Sequence, residues 1–342
     1  MSQPSQPEYE SEGKLNSSTP TRNLALELVR VTEAAALAAG RQMGRGDKNA
    51  ADGAAVDAMR LVLNTIQMDG VIVIGEGEKD QAPMLYNNEK LGTGDPPQVD
   101  IAVDPVDGTR PLAMGLWNAI AVVALAPRGA MFNPGPFLYM NKIAVGAEAK
   151  DVIDINAPVA DNLNKIAKTR GEDIKDLTVV ILDRPRHELL IREVRACGAR
   201  IRLIPDGDVA GSLMAARPGS GIAVLLGIGG TPEGVLSAAA MRCMGGAIQG
   251  KLVARTPEEM EKGRKMGYSF DKVLTTNDLI ASEDVFFAAT GITNGDLLHG
   301  VNYFADGAET DSLVMRGITG TVRHITATHR LSKLDLISRI QY

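Results

Sequence analysis

The sequence predicts an α/β fold, in which helices pack against β-sheets. Its second half alternates short apolar runs with amphipathic segments, so strands over 177–182, 200–204 and 222–226 are each followed by a helix, over 186–197, 208–216 and 232–245. This alternation favours a largely parallel sheet between helices. The chain has 342 residues and 44% hydrophobic content, which is enough for one large domain or two closely packed halves.

Two helices are predicted before the first strand. Thr21 is placed to cap a helix over 22–43, which Gly44 would end. A second helix is predicted over 51–68 from its apolar face. Asp52 stands at the start of this second helix, where a carboxylate is either a helix cap or a metal ligand, and the local pattern favours neither.

The other elements follow from apolar runs and turn residues. Before the alternating region the sequence predicts strands near 71–75, 99–104 and 118–126, then a helix-poor segment over 127–145. After it come a charged helix over 257–266 and strands near 285–289, 312–316 and 320–328. Residues 1–20 are rich in Ser, Gln, Pro and Glu and are expected to form a disordered tail.

Composition excludes several functional classes. The net charge is −6 and no long basic run occurs, so a nucleic-acid surface is not indicated. The two cysteines, Cys197 and Cys243, form no C-x-x-C pair, which is typical of a reduced cytoplasmic protein. The apolar run over 119–126 is too short to span a membrane, and residues 1–18 contain no signal-peptide pattern.

Acidic residues follow two predicted strands at the point where each strand ends. The segment DPVDGT at 104–109 ends one strand, and Glu76 and Glu78 end the strand before it. Two carboxylates and a hydroxyl within six residues suit a hard divalent cation with a water beside it. A solvated Asp-Gly turn explains DPVDGT equally well when it is taken alone. The second acidic strand end favours a site, because such strand ends meet in α/β active sites.

Nine segments of the chain resemble the metal-dependent, lithium-sensitive sugar phosphatases, and among them the class II fructose-1,6-bisphosphatases. They are GRGDKN (44–49), ADGAAV (51–56), VIGEGE (73–78), APMLY (82–86), VDIAVDP (99–105), RPRH (184–187), IPDGD (204–208), GIGGTPEG (227–234) and ATGIT (289–293). The resemblance covers residues 22–328. It implies a layered αβαβα fold with mixed sheets, a metal-binding half over 21–150, a sugar-phosphate-binding half over 151–342, and a homo-oligomer, either dimer or tetramer.

The resemblance also implies roles for individual residues. Metal ligands would be Asp52, Glu76, Asp104 and Asp107, the last at a position where the family more often has Glu. Thr109 would orient the attacking water, and Asp52 could take up its proton directly or through Thr109. Lys48, Asp80 and Glu233 are secondary catalytic candidates on their own chemistry: Lys48 could neutralise phosphate near the metals, Asp80 could bind a metal water or only form the turn, and Glu233 could be only an acid in the first turn of a helix. Substrate contacts would come from Asp107, Gly108, Thr109, Tyr139, Arg184, Pro185, Arg186, Asp206, Gly207, Asp208 and Gly230. Carboxylate ligands favour Mg²⁺ or Mn²⁺ over zinc.

The substrate contacts are also reasonable on physical grounds. Arg184 and Arg186 precede a predicted helix and suit a second, non-reacting phosphate. Asp206 and Asp208 can accept hydrogen bonds from sugar hydroxyls. The simpler interpretations are an exposed arginine pair and a helix-capping acid. The position of these arginines and aspartates at the ends of neighbouring predicted strands favours a binding site over the simpler interpretations.

The sequence therefore predicts a cytoplasmic, metal-dependent enzyme that hydrolyses the 1-phosphate of fructose 1,6-bisphosphate in gluconeogenesis. Its partners would be a small sugar bisphosphate and its own copies, not nucleic acid or membrane. Open alternatives are a dual fructose/sedoheptulose bisphosphatase, an inositol or sugar monophosphatase, and a sugar-phosphate-binding protein without activity. A dinucleotide dehydrogenase is disfavoured, because the motif that starts at Gly227 would need glycine at Pro232.

Overall fold

The computed structural model describes residues 24–77 and 84–337. Their helices are α1 (Ala25–Gly40), α2 (Lys48–Leu63), α3 (Thr109–Met114), α4 (Val159–Arg170), α5 (Glu188–Ala196), α6 (Asp208–Ala216), α7 (Thr231–Met244), α8 (Pro257–Lys265), α9 (Thr276–Leu279) and α10 (Leu331–Ile337). Their strands are β1 (Asp69–Ile74), β2 (Lys90–Leu91), β3 (Gln98–Asp107), β4 (Ile120–Pro127), β5 (Tyr139–Val145), β6 (Thr178–Leu182), β7 (Arg200–Ile204), β8 (Val224–Gly230), β9 (Ala247–Val253), β10 (Leu274–Thr275), β11 (Phe286–Gly291), β12 (Asn302–Phe304), β13 (Gly307–Arg316) and β14 (Thr321–Arg330). The predicted α/β class is confirmed.

The strands form two mixed sheets. The larger sheet has the order β12-β13-β11-β4-β3-β1-β2. Strand β14 lies off this path and pairs with β13 along its whole length, from Gly307 to Arg316. Its parallel pair is β1 with β3, while β4 is antiparallel to both β3 and β11. The C-terminal strands thus return to the sheet that carries DPVDGT.

The smaller sheet has the order β10-β9-β5-β8-β6-β7. Strand β6 runs parallel to β7 and β8, whereas β5 is antiparallel to both β8 and β9. The three strands from which a parallel sheet was predicted are indeed parallel, but the sheet as a whole is mixed rather than largely parallel. The difference has a physical cause. Strand β5 comes from the segment 127–145, for which no strand was predicted, and it inserts between β8 and β9, the two strands that α7 connects.

The layers follow the order α, β, α, β, α. Alternate residues of β4 face opposite sides of the larger sheet: Val123 packs with α1 and α2, and Val122 packs with α6 and α7. Helices α6 and α7 share that second core with the smaller sheet, and the far face of the smaller sheet packs on α4 and α5. The layered αβαβα architecture with mixed sheets is confirmed.

Several element boundaries differ from the predictions. Helix α1 ends at Gly40 rather than near Gly44, and Thr21 lies outside the described residues. Helix α2 begins at Lys48, and the Asp47 side chain caps it by accepting a hydrogen bond from the Ala50 N–H at 3.0 Å. Asp52 is therefore not the cap, because Asp47 already satisfies the helix N-terminus one turn earlier.

Some elements of the structure were not predicted from the sequence, and one strand is longer than predicted. Strand β8 continues through the glycine segment to Gly230, because these residues pair with β5. The sequence did not predict helices α3, α4, α9 and α10 or strands β2, β5, β9, β10 and β12. Among the described residues, no helix has both the length and the apolar content needed to cross a membrane.

Candidate active site

The DPVDGT segment forms the end of β3 and the start of α3. The pairing of β3 with β4 shifts register between Asp104 and Asp107. The Val106 N–H donates to Asp104 Oδ1 at 3.1 Å, and Gly108 adopts a left-handed conformation with φ of 104°. Only a residue without Cβ takes this turn easily. It ends the strand and places Thr109 at the first position of a helix.

Thr109 meets Asp52 across a distance of 57 residues in the sequence. The Thr109 hydroxyl lies 3.0 Å from Asp52 Oδ1 and 3.2 Å from the Val106 carbonyl oxygen, and it donates to these acceptors. Asp52 projects from the second turn of α2. The structure therefore brings together the two residues for which a shared proton-handling role was predicted.

Buried carboxylates surround this pair. Burial, followed by repulsion from Asp52, raises the pKa of Glu76 to about 7. Burial is also the main reason why the pKa of Asp52 rises to about 6 and that of Glu233 to about 7. The pKa values of Asp104 and Asp107 lie well above the usual range, because both side chains are buried beside other acids. Acidic groups are thus concentrated here, and the nearby lysines Lys48 and Lys142 offset only part of the effect of burial.

These residues suit a hard divalent cation by their chemistry. Their donor atoms are carboxylate oxygens, which Mg²⁺ and Mn²⁺ prefer. Glu233 Oε2 is buried and has no hydrogen-bond partner among the described residues, as expected of an oxygen that awaits a ligand. Within 24–77 and 84–337, no three acidic, His or Cys side chains already stand in a metal-binding arrangement. Glu78 and Asp80 lie outside the described residues.

A cavity of about 340 Å³ adjoins the acids. Its lining consists of Asp107, Leu138, Tyr139, Leu182, Arg184, Arg186, Asp206, Gly207, Asp208, Gly229, Gly230, Pro232 and Glu233. Most of the predicted substrate contacts are in this set. Gly108 and Thr109 follow Asp107 directly, and Pro185 begins a short 3₁₀ turn between the two arginines. Lys48 is exposed at the start of α2, and its charge lowers the pKa of Asp52 against the larger effect of burial.

The two arginines are held at the cavity wall by backbone carbonyls. Arg184 donates to the Pro205 carbonyl at 2.5 Å and to Asp206 Oδ1 at 3.3 Å. Arg186 donates twice to the Ile228 carbonyl, at 3.1 and 2.8 Å, and its guanidinium lies 5.4 Å from the centre of the Tyr139 ring. Both positive charges are therefore in place before any ligand binds, which favours anion recognition.

Sequence reasoning missed Lys142 and undervalued Glu233. Lys142 is buried on β5 and donates to Asp208 and Gly230, two residues of the cavity wall. A lysine within the mostly apolar stretch 139–145 was the available signal, but the strand itself was not predicted. Glu233 was taken as a secondary candidate, whereas it lines the cavity and carries an unpaired buried oxygen.

Comparison with known proteins agrees with this geometry. A family model described as "Bacterial fructose-1,6-bisphosphatase, glpX-encoded" matches residues 22–329. Fructose-1,6-bisphosphatase 1 class 2 of Escherichia coli K12 is 49% identical over 327 residues, which cover 92% of this chain and 97% of the relative. Proteins named fructose-1,6-bisphosphatase class 2 from Escherichia coli O6:H1 and Shigella flexneri match with the same identity and coverage.

Proposed function

Because the chain belongs to the bacterial fructose-1,6-bisphosphatase family, we propose that it hydrolyses the 1-phosphate of fructose 1,6-bisphosphate, giving fructose 6-phosphate and orthophosphate. One observation supports this most directly. A single cavity is bounded by acids of the buried cluster, Asp107 and Glu233, and by two anchored arginines, Arg184 and Arg186. One end of a bisphosphate can then react beside a metal while the other phosphate is bound.

The proposed cofactor is Mg²⁺ or Mn²⁺. Asp52, Glu76, Asp104 and Asp107 would hold it, and the unpaired oxygen of Glu233 supports a further contact. A bound cation of this kind lowers the pKa of water and stabilises negative charge on the phosphoryl oxygens and the leaving alkoxide. The raised pKa values of Glu76 and Asp104 support this assignment, because burial and neighbouring acids disfavour their ionised forms and a nearby positive charge would favour them.

Thr109 and Asp52 would handle the nucleophile. The Thr109 hydroxyl donates to Asp52, so its lone pairs remain available to accept a hydrogen bond from water and orient it for in-line attack. Asp52 would take up the proton, directly or through Thr109, whose hydroxyl donates to its Oδ1 at 3.0 Å. Lys48, Asp80 and Glu233 would assist by adjusting the charge around the reacting phosphate.

The remaining cavity residues would bind the substrate. Arg184 and Arg186, with Pro185 between them, would hold the non-reacting phosphate, and Tyr139 supports Arg186 by stacking. Asp206 and Asp208 would accept hydrogen bonds from sugar hydroxyls. The other predicted contacts are Asp107, Gly108, Thr109, Gly207 and Gly230. In this assignment residues 21–150 form the metal-binding half and residues 151–342 the sugar-phosphate-binding half.

The arginine pair also bears on the alternatives. A monophosphatase has no second phosphate to bind, so two arginines anchored in the same cavity favour a bisphosphate. Sedoheptulose 1,7-bisphosphate carries one more carbon and would present the same two phosphates. We propose a gluconeogenic role in the cytoplasm, which the two free thiols support, and a homo-oligomeric state, as a dimer or tetramer.

The decisive test is phosphate release from fructose 1,6-bisphosphate by protein freed of metal with a chelator, with and without added Mg²⁺ or Mn²⁺. Metal-dependent release is expected, with little release from inositol 1-phosphate. Arg186→Ala should reduce the preference for fructose 1,6-bisphosphate over inositol 1-phosphate, because it should raise KM for the bisphosphate and leave KM for the monophosphate unchanged. Folded wild-type protein that releases no phosphate with either metal would refute the proposal and favour a binding protein.

A further inference from the structure

Lys142 is a charged residue in a fully buried position. Its side chain is 0% exposed, and the ammonium donates to Asp208 Oδ2 at 2.6 Å and to the Gly230 carbonyl at 2.9 Å. Removing a lysine from water is costly unless its charge and donors are satisfied. A strand facing a core would be more stable with an apolar side chain here, so the charge needs an explanation beyond packing.

Both partners of Lys142 lie on the wall of the cavity. Asp208 begins α6 directly after Gly207, whose φ is 82°. Its carboxylate occupies a close-fitting space, because a Cβ on Gly229 would stand 1.8 Å from Asp208 Oδ2. Gly230 is the last residue of β8 and the N-cap of α7. One ammonium group therefore joins the beginnings of two helices that form the cavity wall.

Lys142 also determines which oxygen of Asp208 is free. Oδ2 is bound to the ammonium, whereas Oδ1 has no hydrogen-bond partner within the described chain. A carboxylate held by one oxygen presents the other in a constant direction. That free oxygen can accept a hydrogen bond from a ligand hydroxyl without first losing rotamer freedom.

We propose that Lys142 is a positioning residue for the sugar portion of the substrate, acting through Asp208 and the Gly230 backbone. The inference rests on the proposed function, since it assumes that this cavity receives a sugar phosphate. Lys142 is not itself a catalytic residue, because its side chain is fully buried behind the cavity lining and its ammonium is bound to two protein acceptors. Its loss should weaken ground-state binding of the sugar more than it slows the reaction.

The first test compares Lys142→Met with Lys251→Met. Lys251 lies on β9 beside β5 and donates to Asn156 Oδ1 at 3.0 Å, outside the cavity lining, so it is a matched control. Lys142→Met should raise KM for fructose 1,6-bisphosphate at least about tenfold and lower kcat less than about threefold. Lys251→Met should leave both within about twofold. A wild-type KM in folded Lys142→Met, or a loss confined to kcat, would overturn the proposal.

A second test works even if Lys142→Met fails to fold, since that variant leaves Asp208 buried without its partner. Asp208→Asn and the double variant Lys142→Met/Asp208→Asn are compared for KM. If Lys142 acts through Asp208, both should show nearly the same increase, because the positioned oxygen is altered in both. A further tenfold increase in the double variant would mean that most of the effect of Lys142 does not pass through Asp208 and would overturn the proposed positioning of this carboxylate.

Calorimetric titration separates this inference from the proposed function. If the wild-type protein hydrolyses nothing, the activity proposal fails, but the dissociation constants for fructose 6-phosphate and orthophosphate remain measurable. Lys142→Met should weaken fructose 6-phosphate binding about tenfold and leave orthophosphate binding within twofold. Equal weakening of both ligands, or of neither, would refute the positioning role.

Discussion

At the scale of single residues, the site depends on carboxylates that are buried before any cation binds. An ionised acid in a poorly solvated position is unfavourable, and several such acids repel one another. The pKa values of Glu76 and Glu233, both about 7, record this cost. The protein retains an electrostatically unfavourable arrangement at one place, which is typical of a functional site.

Thr109 gives a direct test of the proton-handling pair. Thr109→Ser keeps the hydroxyl that donates to Asp52, so it should retain much of the activity. Thr109→Ala should lower kcat by roughly 10²-fold with little change in KM, as when a group that orients the nucleophile is lost. Steady-state kinetics of both variants provide the check. Equal activity of the two would remove Thr109 from the mechanism.

Glu33 is a buried acid away from the site. It is on α1, its Oε1 lies 3.4 Å from Thr310 Oγ1, and that hydroxyl lies 2.8 Å from His329 Nε2. Burial raises the pKa of Glu33 from 4.5 to about 7, against smaller opposing effects of Thr310 and Arg30. The folded state thus binds this proton more tightly than the unfolded chain. The resulting stability is fully present below pH 4.5 and is lost as the pH rises through 7.

Glu33→Gln should therefore stabilise the protein at pH 8 but not at pH 5. The expected gain at pH 8 is of order 1–3 kcal/mol, from a pKa difference between 4.5 and about 7. Urea unfolding at both pH values measures it. Glu27→Gln is the control, since the Glu27 side chain is partly exposed and pairs with Arg30 one turn away on the same helix. A gain that does not grow with pH would contradict the shifted pKa of Glu33.

At the scale of elements, the site is built where elements begin and end. Strand β3 ends in DPVDGT, β8 ends at Gly230, and α6 and α7 start beside the cavity. Helix α2 contributes Asp52 from its second turn, so its register depends on how its first turn is capped. The cap at Asp47 therefore helps to position Asp52, for which a catalytic role is proposed.

Asp47 should matter to stability through this cap. Asp47→Ala removes the acceptor for the Ala50 N–H and should cost about 1 kcal/mol of unfolding free energy. Asp57→Ala, at an exposed position in the middle of the same helix, should change stability by less than about 0.5 kcal/mol. Chemical denaturation of both variants tests this. Similar losses in the two would show that charge, rather than capping, explains the effect.

At the scale of the whole molecule, the two sheets are not built from consecutive halves of the chain. The larger sheet combines β1–β4 with β11–β14, and β11 forms a six-residue pairing with β4 from Phe286–Leu125 to Gly291–Ile120. The core around α6 and α7 includes residues from both sheets. The metal-binding and sugar-phosphate-binding halves proposed from the sequence therefore depend on each other for packing.

Residues 21–150 should consequently not fold alone. Without β11, strand β4 would expose its apolar residues and an unpaired edge, which favours aggregation. Circular dichroism and NMR chemical-shift dispersion of the separate 21–150 and 151–342 fragments should show no native structure. Co-expression of the two fragments should restore it. A cooperatively unfolding 21–150 fragment would contradict this dependence.

The sequence by itself determined the local features: the α/β class, most strands and helices, and the acidic strand ends. These are set by periodicity and turn chemistry within a few residues, and DPVDGT is one such segment. Likewise, the family resemblance rests on contiguous segments that the chain preserves in order. Local periodicity, turn residues and contiguous motifs can be recognised without knowing which elements are in contact in the folded protein.

Only the tertiary structure decided which distant residues meet and in what environment. Asp52 and Thr109 are 57 residues apart, and Lys142 and Asp208 are 66 apart. The insertion of β5 between β8 and β9 buries Lys142 and directs it to the cavity wall. Burial and charge proximity then set the pKa values of the acids, and both are properties of packing that no local pattern encodes.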